Sequence, residues 1–139
     1  MKSISIIEVE FIAFAAARKF LTFNEPIPDF GTRLPNKLES CLATPFQKFS
    51  GKYLYAGLIA KGAILFYLLI KNHPFQNGNK RIALTTLLTF LYQNKKWLKV
   101  DNQELYNFAV WVAQSPANLK NEVTKAIEKF ISNNLVNLK

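Results

Sequence analysis

Among 139 residues there is one histidine and one cysteine. A chain with that inventory cannot assemble the three or four Cys/His/carboxylate ligands of a usual zinc site. What chemistry it has must centre on His73. That histidine lies in the stretch KNHPFQNGNKRIAL, residues 71–84. It closes one apolar run, because the residue before a proline is pushed out of the α region. Six residues later Asn79, Lys80 and Arg81 open a second. A helix start leaves N–H groups without intrahelical partners and carries partial positive charge. Gly78 lets backbone come close to a ligand. Lys80 and Arg81 add two full charges where the helix dipole disfavours cations, so the pattern asks for an anion, most naturally phosphate. Asn77 and Asn79 offer amide groups to a metal ion or a phosphate. A histidine beside bound phosphates is placed to act as general base.

The elements that must hold these residues are helical by pattern. Apolar residues recur at helical spacing from Ile4 to Phe23, with Ile7, Phe11, Phe14, Ala15 and Leu21 in register. The segment NEPIP, 24–28, stops that helix, since proline cannot continue it. Residues 53–71 read as a buried helix, and 80–92 as a helix apolar on nearly every face, which belongs at the centre of a bundle. Residues 93–100 read as a polar turn with a short extended piece. Two further helices are expected at 102–114 and 117–135, each opened by a capping residue. Residues 29–53, with Gly31, Pro35, Pro45 and Gly51, are the irregular part. A short helix at 38–43, a small hairpin or a mobile flap able to hold a target's backbone would fit them. The expectation is one all-α domain over 1–139, with a flap at about 29–53 and an active-site loop and helix start at 73–81.

Composition sets the class. Half the residues are hydrophobic and 14% aromatic, which excludes a disordered or low-complexity chain. No internal disulfide is possible with Cys41 alone, and a reducing, cytoplasmic setting fits. The longest apolar run, 62–70, is under half of what a membrane span needs, and no signal peptide is expected, with Glu8 and Glu10 in its place. Eighteen basic against nine acidic residues give +9. That charge suits a polyanion partner, but the Lys/Asn excess is also what an AT-rich genome writes. Lys95, Lys96 and Lys99 cluster at a turn and the other bases scatter, so a nucleic-acid partner is not expected. A Cys41–His73 hydrolase is possible by inventory alone, but nothing around Cys41 resembles a nucleophile site.

HPFQNGNKR, residues 73–81, closely resembles the signature HPFxxGNxR of the Fic/Doc (Fido) family, in the Doc-type (death-on-curing) form with Lys after Asn. LESCLATP, 38–45, resembles the flap-proximal segment of death-on-curing proteins. The resemblance implies a Fic/Doc-type helical bundle with a small β-hairpin flap. It implies His73 as catalytic base toward a target hydroxyl and Phe75 as the buried anchor of the loop. Gly78, Asn79, Lys80 and Arg81 would be the phosphate and nucleotide contacts. Family members transfer part of a nucleoside triphosphate, such as ATP, with a divalent cation, usually Mg²⁺. Most transfer AMP; the Doc branch transfers the γ-phosphate, and its known target type is a translation elongation factor. Lys80, and Leu84 where AMP transferases often carry a second Arg, place the chain nearer that branch. The implied setting is a toxin restrained by a separate antitoxin, because Thr124–Lys129 matches the inhibitory-helix pattern of other members poorly. The family's metal-ligating acid corresponds to Asn77, an amide without the charge that hard cations favour.

Overall fold

The structure, a computed structural model, describes residues 1–20 and 26–138. Its centre is the pair of helices whose sequences are apolar all round. Helix α4 (Gly57–Lys71) is buried continuously from Lys61 to Ile70. Helix α5 (Asn79–Gln93) is buried over most of its length. They pack on each other, and Gly62 permits the close approach: a Cβ there would stand 3.2 Å from Leu87 Cδ1.

The other helices cover this pair with one face each. The N-terminal helix runs as α1 (Ile6–Glu8), a π-helical turn (Val9–Ala13) and α2 (Phe14–Phe20). Ser5 and Glu8 form a capping box at its start. It packs on α5 through buried Val9, Ala13, Phe14 and Ala17. Helix α6 (Asn102–Gln114) is capped by the Asp101 carboxylate, which accepts from the Gln103 and Glu104 N–H groups. Helix α7 (Lys120–Asn134) buries Val123, Ile127 and Ile131, spaced four apart as an amphipathic helix requires. Phe108 of α6 stacks on Phe130 of α7 at 4.0 Å and on Phe66 of α4 at 6.3 Å, tying three helices together. The architecture is thus mainly helical with a small antiparallel hairpin, as expected, and with a second antiparallel pair that the sequence reading did not include. Among the described residues no helix is long and apolar enough to cross a membrane.

Several boundaries differ from the sequence reading. The expected end of the first helix at Leu21–Phe23, and the start of the stop at Asn24, lie outside the described residues. Residues 29–53 divide into a 3₁₀ turn (Phe30–Thr32), helix α3 (Lys37–Ala43), a second 3₁₀ turn (Thr44–Phe46) and a hairpin of β1 (Lys48–Phe49) with β2 (Lys52–Tyr53). Tyr53 therefore belongs to the hairpin, and α4 begins four residues later than the apolar run. The hairpin rests on the first turns of α4: the Lys61 ammonium lies 3.9 Å from the Tyr53 ring and donates to the Tyr55 carbonyl. Ten residues separate Lys61 from the end of α4, about 15 Å along the axis. The last predicted helix is also shorter. Ala117–Leu119 is a 3₁₀ turn, and Leu135 leaves the helix for strand β4 (Leu135–Asn137), antiparallel to β3 (Lys96–Leu98). Leu119 precedes α7 without capping it, contrary to the expected polar cap.

Candidate active site

Asn72 caps the C-terminus of α4, its N–H donating to Leu68 O at 2.9 Å. The next residue, His73, has φ of 46°, a left-handed conformation that non-glycine residues adopt at a cost. Pro74 follows, so the chain cannot resume the helix. A strained residue persists where its surroundings over-determine it, and such sites cluster at functional positions. Here the restraints come from four directions. The Pro74 carbonyl accepts from Leu34 N–H at 2.8 Å. The Asn72 carbonyl accepts from Lys37 Nζ at 3.2 Å, and Asn72 Nδ2 lies 3.9 Å from Cys41 Sγ. These bonds fasten 34–41 to the loop. Phe75 is buried between Phe14 at 5.0 Å and Phe30 at 6.1 Å, with Phe14 and Phe30 themselves 5.1 Å apart. Finally, Asn79 reaches back across the loop. Its Oδ1 accepts from Phe75 N–H at 3.1 Å, its Nδ2 donates to Phe75 O at 2.8 Å, and that Nδ2 is 3.4 Å from His73 Nδ1. The last contact is long. As a bond it would be donated by the Asn79 amide to an Nδ1 without a proton; at this length it places the ring beside Asn79 but does not fix the tautomer.

Gly78 is the residue before α5, with φ of 72° and ψ of 13°. A Cβ there would be 2.8 Å from Ile27 Cδ1 and 3.1 Å from the Pro26 carbonyl. The glycine is required twice, for its backbone angle and for the segment lying against it. Pro26 and Ile27, just before the irregular stretch, lie against Gly78, while Phe30, Leu34 and Lys37 within that stretch meet Phe75, Pro74 and the Asn72 carbonyl.

The predicted residues fall into two sets. His73 and Asn77 are exposed, and Lys80 is half-buried. Phe75, Gly78, Asn79 and Arg81 are buried. The loop brings His73 together with the start of α5, where first-turn amides and helix dipole favour an anion. The side chain of Asn79 is spent on the Phe75 peptide groups, so its role in the structure is to shape the loop. Sequence reasoning did not find Asn72, Lys37, Leu34, Phe14 or Phe30. Their only signal was membership of nearby apolar or irregular stretches.

Two alternatives lose ground. Cys41 is fully buried, and burial pushes its thiol up to about 11, which suppresses the nucleophilic thiolate. For a divalent cation, no group of three or more His, Cys, Asp or Glu is gathered among the described residues. Asn77, the position to which the resemblance assigns a metal ligand, carries a neutral amide. The side chains present do not fit a protein-held Mg²⁺, which ordinarily takes one or two carboxylates alongside substrate phosphates.

No curated protein and no solved structure matches this chain. One family does, described as the Fic/DOC family, over residues 7–91. That span holds the N-terminal helix, the segment fastened to the loop, α4, the loop itself and nearly all of α5. With more than half of its length matched, and with the HPFQNGNKR loop bent over a helix start, the chain belongs to the Fic/DOC family.

Proposed function

We propose that this Fido-domain protein transfers the γ-phosphate of a nucleoside triphosphate to a hydroxyl side chain of a target protein. The general activity of its family is Fido-type transfer; the choice of phosphate over AMP is the finer reading. In the reaction His73 takes the proton of the target hydroxyl. The hydroxyl oxygen forms a bond to the γ-phosphorus, the bond from γ-phosphorus to the β,γ-bridging oxygen breaks, and the nucleoside diphosphate leaves with that oxygen. The observation that carries the reading is the strained His73 held, through Asn79 and Phe75, beside the first turn of α5.

Two features support phosphate over AMP. Lys80 adds a cation at the helix start, so the more highly charged end of the nucleotide is favoured deepest there. Leu84, where AMP transferases often have a second Arg, is wholly buried in the core and offers nothing to a nucleotide. The setting is a cytoplasmic toxin restrained by a separate antitoxin, with a translation factor as target. Incubation of the protein with ATP, Mg²⁺ and a bacterial lysate tests the reading. Label from γ-phosphate should appear on a protein target with one phosphate of added mass. Label from α-phosphate, with the mass of AMP, would reject it in favour of adenylyl transfer.

A further inference from the structure

At the far end of α5 from the active-site loop, the structure assigns a second site: the outer face of the β3–β4 ribbon binds single-stranded nucleic acid, stacking a base on Trp97. Fourteen residues of helix separate Asn79 from Gln93, about 21 Å, so this site is distinct from the one at His73 and does not depend on the proposed transfer.

The ribbon pairs Trp97 with Val136 and Leu98 with Leu135. Leu98 is buried in the core. Strand alternation therefore turns Trp97 and Val136 outward, where they are 37% exposed each. Pairing continues beyond the strands at both ends: Lys99 N–H donates to Asn134 O at 2.9 Å and Leu138 N–H to Lys95 O at 3.1 Å. Alternation carried through these bonds puts Lys99 on the face of Trp97. Lys95 stands two residues to the other side, in the turn that enters β3 with φ of 65°. Each lysine is about 7 Å from Trp97 along the strand. Tyr92, 61% exposed, meets Trp97 edge-on at 6.3 Å. The N-terminal segment brings a further base, because Asn94 accepts from Lys2 N–H and donates to Lys2 O.

This arrangement is an aromatic platform between cations. Among the described residues no carboxylate pairs with Lys95, Lys96 or Lys99. Asp101, the nearest acid in the chain, caps α6, Glu104 lies in the first turn of that helix, and Glu8, which the fold brings to Gln93, accepts from Gln93 and Ser5. Exposed ring, flanking lysines and a net charge of +9 complement a polyanion with free π-faces. An unpaired nucleic-acid strand has both. In a duplex the bases are stacked on each other, and an acidic peptide has no base to stack. The sequence pointed the other way because it showed three lysines at a turn; only the folded ribbon places Trp97 between two of them and ties the Lys2 backbone to Asn94, just before the ribbon.

The test is fluorescence anisotropy with a fluorescein-labelled 15-nucleotide oligothymidylate, measured from low to physiological salt. Binding is expected with Kd about 10⁻⁴–10⁻⁶ M, weakening as salt rises. Trp97→Ala should weaken it about tenfold or more, while Trp97→Phe, which keeps a ring, should retain most of it. The double variant Lys95→Gln with Lys99→Gln should flatten the slope of log K against log salt by about 1.4, two phosphate contacts' worth. Circular dichroism checks that each variant folds, and the lysine variant decides the matter if Trp97→Ala does not. Three outcomes would overturn the assignment: no binding at 100-fold below-stoichiometric probe and about 10⁻⁴ M protein; unchanged binding by the folded ring-less or lysine-less variants; or tighter binding of poly-glutamate, which would make the ribbon a dock for an acidic protein segment.

Discussion

Asn79 holds Phe75 by both faces of its backbone, accepting from its N–H at 3.1 Å and donating to its carbonyl at 2.8 Å. The residue that opens α5 thereby fixes the middle of the loop that precedes it. Because Phe75 is also wedged against Phe14 and Phe30, the loop is held from its backbone and from its ring at once. His73, two residues before Phe75, inherits its position from this double hold.

Replacing Asn79 with Ala leaves the Phe75 N–H and carbonyl buried without those partners. Each such group costs about 1–3 kcal/mol. Asn79→Ala should lower stability by about 2–4 kcal/mol, a fall in Tm on the order of 10 °C for a domain of this size. Calorimetry checks it. A Tm within 2 °C of wild type, roughly the effect of half a kcal/mol, would mean that the bracket does not hold the loop.

At His73 stability and activity should separate. A left-handed non-glycine residue costs about 1–2 kcal/mol, which glycine does not incur. The imidazole is exposed, so its removal sacrifices little packing. His73→Gly should therefore melt no lower than wild type, while transfer falls about 10²–10⁴-fold, the usual loss on removing a general base. Retained transfer would end the assignment of His73. A large fall in Tm would show instead that the side chain supports the fold.

The contrast between these two residues marks what the sequence made legible. The helices that carry the site were readable, because 62–70 is an unbroken apolar run and 80–92 is apolar on nearly every face, which suits a central position. The loop was readable as HPFQNGNKR, with a buried Phe75, a glycine at the helix start and an exposed histidine. What was hidden is the work of Asn79, which reads as a ligand contact by type and serves as a loop bracket by geometry. Contacts such as Lys37 with Asn72, thirty-five residues apart, are set by how α3 lies across the end of α4, and no local periodicity encodes that. Strand β4 was missed for the same reason: Leu135–Asn137 continues the apolar pattern of α7, and only pairing with β3 draws it out of the helix.

The Cys41 thiol supplies a pH prediction. Burial raises its folded pKa from the ordinary 9.0 to about 11. At pH 8 the thiolate is about one part in a thousand, so iodoacetamide should leave the native protein unmodified while labelling the denatured chain fully. For stability the sign follows from linkage. Below pH 9 the thiol is protonated in both states and contributes no pH dependence. Between about pH 9 and 11 the unfolded chain releases the proton and the folded one keeps it, so this group makes stability fall as pH rises. Rapid labelling of the folded protein at pH 8 would contradict both its burial and the raised pKa.

The last expectation concerns the missing charge at Asn77. The amide is exposed in the loop, and among the described residues no cluster of metal-ligating acids is gathered. Any Mg²⁺ accompanying the nucleotide would have to rely on the phosphates themselves for anionic ligands. A carboxylate at this position adds a charge-assisted contact of the kind hard cations prefer, worth roughly 1–1.5 kcal/mol more than a neutral one. Asn77→Asp should therefore reduce the Mg²⁺ concentration giving half-maximal transfer by about tenfold, with the fold unchanged because the side chain is in solvent. The reverse change, Asn77→Ala, should alter that concentration little, since a neutral amide contributes weakly. Transfer rates measured across a Mg²⁺ titration compare the three proteins directly. An unchanged Mg²⁺ requirement in Asn77→Asp would show that position 77 does not face the metal-bound phosphates, and would count against carrying the family's metal-ligand position over to this loop.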